Sequence, residues 1–337
     1  MSESRERRLL YGLRVVSDLP LHVDRPTGFD GEPDLVITLA GERPAPDDEP
    51  AGRLLARYVE DDRGYFTFVT TPAGDHLLRF HRTAEFVVSA DLRNVAIFLA
   101  PGADPGLAAV LVTGTLMSFI LLMRGVPLLH ASAVDLGGRA LAFVGYAGKG
   151  KSTMATLMCA AGARIITDDV LRLDITGGVV QAHLGATEAR LRKSAVELAA
   201  AFGGQPSSQP SVRKTSDDRD AVQLLATDAD LLPLAAIVVP EPRRDLERVE
   251  LVRLSTSEAL LQLARYPRIV GWVGHDVLAG QFHHLADIVE RVPVFVGNVP
   301  WGPPFAADIA PTLLEQVGLA IEPAAGALDQ PDAAGSR

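Results

Sequence analysis

The stretch of residues 139–169 constrains the fold of this chain more than any other part of the sequence. It reads RALAFVGYAGKGKSTMATLMCAAGARIITDD, a pattern typical of a strand, a glycine-rich loop, a helix and a second strand. The loop matches G-x-x-x-x-G-K-[ST] through Gly145, Gly150, Lys151 and Ser152, the pattern of phosphate-binding loops. A strand–helix–strand crossover is nearly always right-handed and parallel, so we predict an α/β fold with both strand ends at one sheet edge.

The loop and the first turn of the helix are the predicted nucleotide site. Backbone N–H groups of such a loop and the positive end of the helix dipole bind phosphate oxygens. Lys151 supplies a charge for the β- and γ-phosphates, and Ser152 offers a hydroxyl ligand to Mg2+. The residues predicted to bind ATP are Gly145, Tyr146, Ala147, Gly148, Lys149, Gly150, Lys151, Ser152 and Thr153. The pattern does not distinguish ATP from GTP.

Two adjacent carboxylates follow the second predicted strand. Because both strands of the crossover end at the same edge, Asp168 and Asp169 are expected beside the γ-phosphate and its metal. Consecutive side chains of a strand point to opposite faces, so both can reach one site only if the strand ends at this point. The sequence therefore predicts that the strand ends at this pair of aspartates.

A histidine upstream is also predicted to lie near the loop. The sequence GVPLLHASAVDLGGRALAFVG predicts two strands joined by a two-residue turn at Gly137-Gly138. Counting outward from this turn pairs His130 with Gly145, the first glycine of the loop. The alternative is that His130 only closes a strand.

Composition limits the classes of function. The chain has 337 residues, of which 47% are hydrophobic and 22% charged, an ordinary globular balance. The formal charge of -10 argues against nucleic acid as a partner. The one cysteine excludes a disulfide framework, and MSESRERR has no apolar segment behind it, so we predict a cytoplasmic protein.

One segment has the length of a membrane span. Residues 106–123, GLAAVLVTGTLMSFILLM, contain no charge. However, Gly114, Thr113, Thr115 and Ser118 dilute the segment, and a helix that is apolar all round also suits the core of a large domain. We interpret it as a buried helix, not a membrane helix.

The rest of the chain gives the domain organisation. Short alternating runs between Leu10 and Leu99 predict a β-rich N-terminal domain over residues 1–104, followed by a catalytic domain over 105–322 and a disordered tail over 323–337. Residues 187–201 are predicted to form a helix, and residues 203–220 a loop beside the site. Arg213 and Lys214 are cations that this loop could bring to a phosphate; the alternative is that they are solvated surface charges.

The residues HASAVDLGGRALAFVGYAGKGKST…GARIITDD resemble the C-terminal catalytic domain of HPr kinase/phosphorylase, and the match covers residues 125–174. The runs YGLRVVSDLPL, RGVPLLHASAV and VPVFVGNV also resemble HPr-kinase-like proteins found beside peptide natural-product genes, including lasso peptide kinases. The resemblance implies a P-loop fold of the HPr kinase/PEP-carboxykinase type. It also implies that Asp168 is the general base for a serine hydroxyl, that Asp169 lies near the metal, and that His130 bonds near the phosphate.

One feature of the bifunctional enzymes is missing from this chain. Their Leu-Glu-Ile-Arg-Gly signature has no counterpart after the tandem aspartates, where the sequence reads QAHLGATEARLR. HPr as the substrate and the reverse, pyrophosphate-producing reaction therefore do not follow from the resemblance.

These observations predict an Mg2+- and ATP-dependent kinase with a serine-type acceptor. The catalytic residues expected are Asp168, His130 and Lys151, and the metal ligands Ser152 and Asp169. A peptide or small protein of a natural-product pathway is the first expectation for the acceptor, and homo-oligomerisation is left open. The alternatives are a small-metabolite kinase, or a regulatory or scaffold protein that binds nucleotide without phosphotransfer.

Overall fold

The computed structural model describes residues 5–23, 25, 28–61, 63–191, 198, 212–214 and 220–322. The predicted tail lies outside these residues, as does most of the loop predicted at 203–220. The strands are β1 Glu6–Leu10, β2 Leu13–Ser17, β3 Leu35–Glu42, β4 Arg53–Glu60, β5 Arg63–Thr70, β6 His76–Phe80, β7 Ala84–Val88, β8 Asn94–Leu99, β9 Leu128–Leu129, β10 Ala131–Asp135, β11 Ala140–Val144, β12 Arg164–Thr167, β13 Leu171–Thr176, β14 Val179–His183, β15 Glu188–Leu191, β16 Val212–Lys214, β17 Asp220–Gln223, β18 Leu231–Arg243, β19 Glu250–Arg253 and β20 Val294–Pro300. The helices are α1 Pro105–Leu111, α2 Met117–Met123, α3 Lys151–Ala160, α4 Thr256–Ala264, α5 His275–Val289 and α6 Ile309–Val317, with a π-helical turn, Val112–Leu116, between α1 and α2.

The N-terminal region is a single eight-stranded sheet, as its alternating runs predict. Its strand order is β1-β2-β3-β8-β7-β6-β5-β4, so β1 and β4 are the edges. The strands are mostly antiparallel, but β3 runs parallel to both β2 and β8. The sheet contributes most of one hydrophobic cluster.

The apolar helix belongs to that same cluster. The segment Pro105–Met123 is long and apolar enough to cross a membrane, with a mean hydropathy of 2.2, yet 67% of its apolar window is buried inside the protein. Phe119 is fully buried, and its ring lies 6.0 Å from that of Phe68 on β5 and 5.9 Å from that of Trp272. The segment is therefore a core helix that packs on the N-terminal sheet.

Removal of the Phe119 ring should destabilise the protein. We expect Phe119→Ala to lower the free energy of unfolding by about 3–5 kcal/mol, because a large cavity would replace a buried ring. Urea denaturation followed by circular dichroism measures the loss. The matched control is Phe282→Ala on α5, where the side chain is 45% exposed. Equal unfolding free energies for the two variants would contradict the core position of Phe119.

The second sheet has nine strands and follows the crossover rule. Strand β10 pairs antiparallel with β11 on one side and with β12 on the other, so β11 and β12 are parallel to each other and separated by β10. Strand β18 pairs parallel with both β11 and β20. The four parallel strands therefore end at the same edge, where ligands of open α/β sheets bind. Hydrophobic clusters cover both faces of this sheet.

Two sequence predictions about the middle of the chain are wrong. The helix predicted from residue 187 is instead strand β15 over its first residues, because Glu188–Leu191 pairs antiparallel with β17 and buries alternate side chains. Tertiary pairing here overrides a favourable helix propensity. Likewise, residues 212–214 of the predicted loop form β16. Helix α6 was not predicted either; its Pro311 lies in the first turn, where a proline is tolerated.

Candidate active site

The glycine-rich loop connects β11 to the N-terminus of α3. Gly150 precedes the helix with φ of 90°, and a Cβ atom there would lie 2.3 Å from the Trp301 ring, so only glycine fits. Lys151 is buried, and its Nζ donates hydrogen bonds to the carbonyl oxygens of Gly145 at 2.8 Å and Tyr146 at 3.1 Å. The lysine side chain thus bonds to the backbone at the start of its own loop, and these two bonds hold the loop in its turn.

Asp168 is the buried member of the carboxylate pair. The Ser152 hydroxyl donates to Asp168 Oδ1 at 2.8 Å, the Ser132 hydroxyl donates to the same oxygen at 2.5 Å, and the Arg190 backbone N–H donates to Oδ2 at 3.1 Å. Burial raises the pKa of Asp168 above its ordinary value, and the negative charge of Asp169 acts in the same direction, while the serine hydroxyls oppose them. Asp168 therefore connects the glycine-rich loop to the strand end.

Asp169 is the more exposed member of the pair, and both carboxylates line the same cavity. Its side chain is 48% exposed, and its carboxylate lies 3.2 Å from His130 Nε2 and 2.5 Å from Arg268 Nη2. Loss of solvent alone would raise the pKa of Asp169, but the positive charge of Arg268, the hydrogen bond from His130 and the positive charge of Lys151 outweigh this effect and hold the pKa below its ordinary value. The carboxylate is therefore ionised at neutral pH.

Strand β12 ends directly before the two aspartates, as the sequence predicts. β12 ends at Thr167, and Asp169 has a φ of 75°, a left-handed conformation that is rare for residues other than glycine. This backbone turn allows two consecutive side chains to line one cavity. A non-glycine residue in this region is commonly found at functional sites, where the surrounding structure enforces it.

The hairpin has the predicted register. Ala131 pairs with Val144, and Asp135 with Ala140, so His130 follows directly as the neighbour of Gly145. The side chain of His130 pairs with Asp169 rather than with the loop itself. Burial lowers the pKa of His130, an effect that the Asp169 carboxylate opposes.

A cavity of 410 Å3 lies at the edge where the parallel strands end. Each of these strands contributes residues to the lining: Gly148 follows β11, Asp168 follows β12, Arg244 follows β18 and Trp301 follows β20. Further lining comes from the π-helical turn, from β15 and from the N-terminal region, which contribute Thr113, Gly114, Glu188, Arg190 and His22.

Several residues at or behind this cavity were not predicted from the sequence, among them Arg244, Trp301 and Arg268. Arg244 and Trp301 stand directly after β18 and β20, so the rule that ligands bind at strand ends could have identified them. Arg268 lies between α4 and α5, and nothing in the local sequence indicates that it reaches Asp169. Conversely, Arg213 and Lys214 have backbone positions on β16, and their side chains lie outside the described residues.

The donor set fits Mg2+ and a nucleoside triphosphate. The Ser152 hydroxyl and the two carboxylates lie together on the cavity, at the amide-rich end of α3. Over the described part of the chain there is no group of three or more His, Cys, Asp or Glu side chains placed to hold a metal. Mg2+ does not need such a cage, because it is usually bound by one or two carboxylates together with water and phosphate oxygens.

The chain shows a distant similarity to solved structures and none to a family model or a curated protein. No protein-family model matches the chain, and no curated protein matches it. Among solved structures, the chain is similar to the HPr(Ser) kinase/phosphatase from Coxiella burnetii, with a TM-score of 0.27 and 10% identity over 57% of this chain and 93% of that chain. A similarity at this level carries no argument about mechanism, and nothing in it distinguishes a subfamily beside peptide natural-product genes. The functional assignment therefore depends on the geometry of the site.

Proposed function

We propose that this chain is a cytoplasmic kinase that uses Mg2+ and ATP to transfer a phosphoryl group to a hydroxyl acceptor. The observation that carries the proposal is the Ser152–Asp168 hydrogen bond with Asp169 beside it, because it joins a phosphate loop to a pair of carboxylates in different environments. A binding loop alone would suit many nucleotide-binding proteins. The ionised, partly exposed carboxylate of Asp169 lies next to the loop and can accept the proton of an acceptor hydroxyl.

The phosphate loop would bind and align the donor. Mg2+ bound with ATP would neutralise charge on the phosphates and present the γ-phosphoryl group. Lys151 would exchange its bonds to the carbonyl oxygens of Gly145 and Tyr146 for bonds to phosphate oxygens. The dipole of α3 and the amides of residues 148–152 stabilise negative charge at the same point. Phosphoryl transfer depends mainly on such alignment and charge stabilisation.

We propose different roles for the two carboxylates, one in binding the metal and one in accepting the proton of the acceptor. The resemblance gives the role of base to Asp168 and the metal to Asp169, whereas we propose the reverse division. Asp168 is buried and already bonded to Ser152, the expected metal ligand, which favours a place on the metal side. Asp169 is half-exposed to the cavity and ionised, so it suits an acceptor hydroxyl whose proton it would take. His130 would hold the Asp169 carboxylate in place.

The acceptor is proposed to be a serine-type hydroxyl on a peptide or small protein. The test is incubation with γ-labelled ATP and Mg2+, followed by mass spectrometry of serine-containing peptides, small proteins and hydroxylated metabolites. Label on a peptide supports the proposal. Label only on a metabolite makes the chain a small-metabolite kinase, and binding of ATP without any labelled acceptor favours the regulatory or scaffold alternative.

A further inference from the structure

Arg268 is a buried cation beside the pair of aspartates. Its side chain is 11% exposed, and among the described residues its one ion-pair partner is Asp169, with Nη2 2.5 Å from Oδ2. Arg268 is not among the residues that line the cavity, so the guanidinium supports Asp169 from the protein side. A Cβ atom on Gly114 would lie 2.8 Å from the Arg268 Nη2 atom, so the π-helical turn leaves room for the guanidinium by placing glycine there.

The N-terminal sheet holds the segment that carries Arg268. We call residues 269–273 the β4 strap, because they run along the edge strand β4. The Arg57 N–H donates to the Gly271 carbonyl oxygen at 3.0 Å, the Val273 N–H donates to the Leu55 carbonyl oxygen at 2.8 Å, and Ala56 forms an antiparallel bridge with Trp272. The strap thus extends the sheet by one short stretch, starting one residue after Arg268.

Side-chain packing fixes the strap as well. Ile269 and Trp272 are buried in the hydrophobic cluster of the N-terminal sheet, and the Trp272 ring lies 5.9 Å from that of Phe119. Gly271 has a φ of 74°, and a Cβ atom there would lie 1.8 Å from the Arg57 carbonyl oxygen. A side chain at this position would push the strap away from β4.

We propose that the β4 strap makes the N-terminal sheet part of the transfer site: the sheet positions Arg268, and Arg268 positions the Asp169 carboxylate. This inference rests on the proposed kinase function. Asp168 and Asp169 are adjacent and both acidic, so without a nearby cation they repel each other, and the half-exposed Asp169 is the one free to turn away. Arg268 is a positioning residue, because it acts through Asp169 and does not touch the cavity.

The test uses phosphate released from Mg2+-bound ATP in the full chain, because water can replace the unidentified acceptor. We expect Arg268→Ala to lower kcat about 100-fold, the size of effect that a misplaced catalytic group produces, with no change in the affinity for ATP. Added guanidinium ion, well below the concentration that unfolds the protein, should restore part of kcat in Arg268→Ala and none in the wild type. Arg268→Lys should retain more activity than Arg268→Ala.

A remote variant tests the role of the sheet. Gly271→Ala should lower kcat in the same direction as Arg268→Ala, measured at a temperature at which thermal unfolding shows the variant to be folded. The matched control is Gly280→Ala on α5, where a Cβ atom would meet nothing within 4 Å, and its kcat should equal that of the wild type.

Two results would overturn the inference: full activity in Arg268→Ala, or full activity in folded Gly271→Ala. A loss of ATP affinity in Arg268→Ala as large as the loss of kcat would also overturn it, because Arg268 would then serve donor binding. Failure of the proposed kinase function gives a different result: the wild-type chain itself would neither bind ATP nor release phosphate from it.

Discussion

Replacement of Lys151 with alanine should lower the affinity for Mg2+-bound ATP about 10- to 100-fold, because a hydrogen bond to a charged group contributes about 1.5–3 kcal/mol. Transfer of phosphate should fall further, since the lysine also neutralises charge that develops during the reaction. The side chain is buried in the loop and reaches two of its carbonyl oxygens, so its removal also loosens the turn that shapes the phosphate site. Isothermal titration calorimetry with ATP and Mg2+ measures the affinity.

The matched control for this change lies two residues away. Lys149 belongs to the same loop but is exposed to solvent, so Lys149→Ala should change the affinity for ATP much less than Lys151→Ala. Equal losses in the two variants would indicate general electrostatic attraction rather than a built site. Unchanged ATP affinity in Lys151→Ala would show that the loop does not bind phosphate, and the kinase proposal would fail with it.

The second large effect is expected at the carboxylate pair. Asp169→Asn should reduce phosphate transfer to an acceptor about 100- to 10,000-fold while ATP binding stays close to that of the wild type, because a positioned base contributes about this factor. Asp168→Asn should also reduce transfer, but mainly through Mg2+, so part of its activity should return at a raised Mg2+ concentration. Rate measurements with γ-labelled ATP over a range of Mg2+ concentrations distinguish the two variants.

The opposite pattern has an equally clear meaning. Loss of transfer without any response to Mg2+ in Asp168→Asn, together with a Mg2+-dependent recovery in Asp169→Asn, would return the base to Asp168, as the family resemblance implies. Normal phosphate transfer in both variants would show that neither carboxylate takes part in the reaction.

Folding stability provides a control for the Asp168 variant. Burial raises the pKa of Asp168, so the protonated form is favoured in the folded state, and this contribution to stability is lost as the pH rises through the raised pKa. Asparagine carries no charge and avoids this cost. The exchange also places an amide N–H where Oδ2 accepts from the Arg190 N–H, which offsets part of this gain. We therefore expect Asp168→Asn to stay folded at the assay temperature at neutral pH, measured by thermal unfolding, so that lost activity cannot be attributed to unfolding.

Local sequence signals predicted much of the local structure around the candidate site. The hairpin at Gly137-Gly138 has the register expected from its turn, α3 begins at Lys151, and β12 ends directly before Asp168. Each of these features depends on residues close together in the chain: a glycine turn sets a register, and a glycine-rich loop determines where a helix can begin. For the same reason the run of strands in the N-terminal region could be recognised from alternation alone.

Predictions failed where distant pairing decided the structure. Residues 188–191 have a sequence typical of a helix, yet they form a strand because β17 lies beside them and their alternate side chains face a core. The apolar helix illustrates a milder case, since its composition indicated burial but not that the N-terminal sheet would cover it. Propensity is a weak preference, and packing against another element outweighs it.

The sequence by itself determined the glycine-rich loop, the two carboxylates and the edge of the sheet at which they meet, because a strand–helix–strand unit has one favoured hand and short local turns. Only the tertiary structure decided how the carboxylates differ. Asp168 is buried against two serines, and Asp169 faces the cavity beside Arg268, which lies 99 residues further along the chain. The environment of an ionisable group depends on every element packed around it, so the contact of Arg268 with Asp169 has no local signature in the sequence.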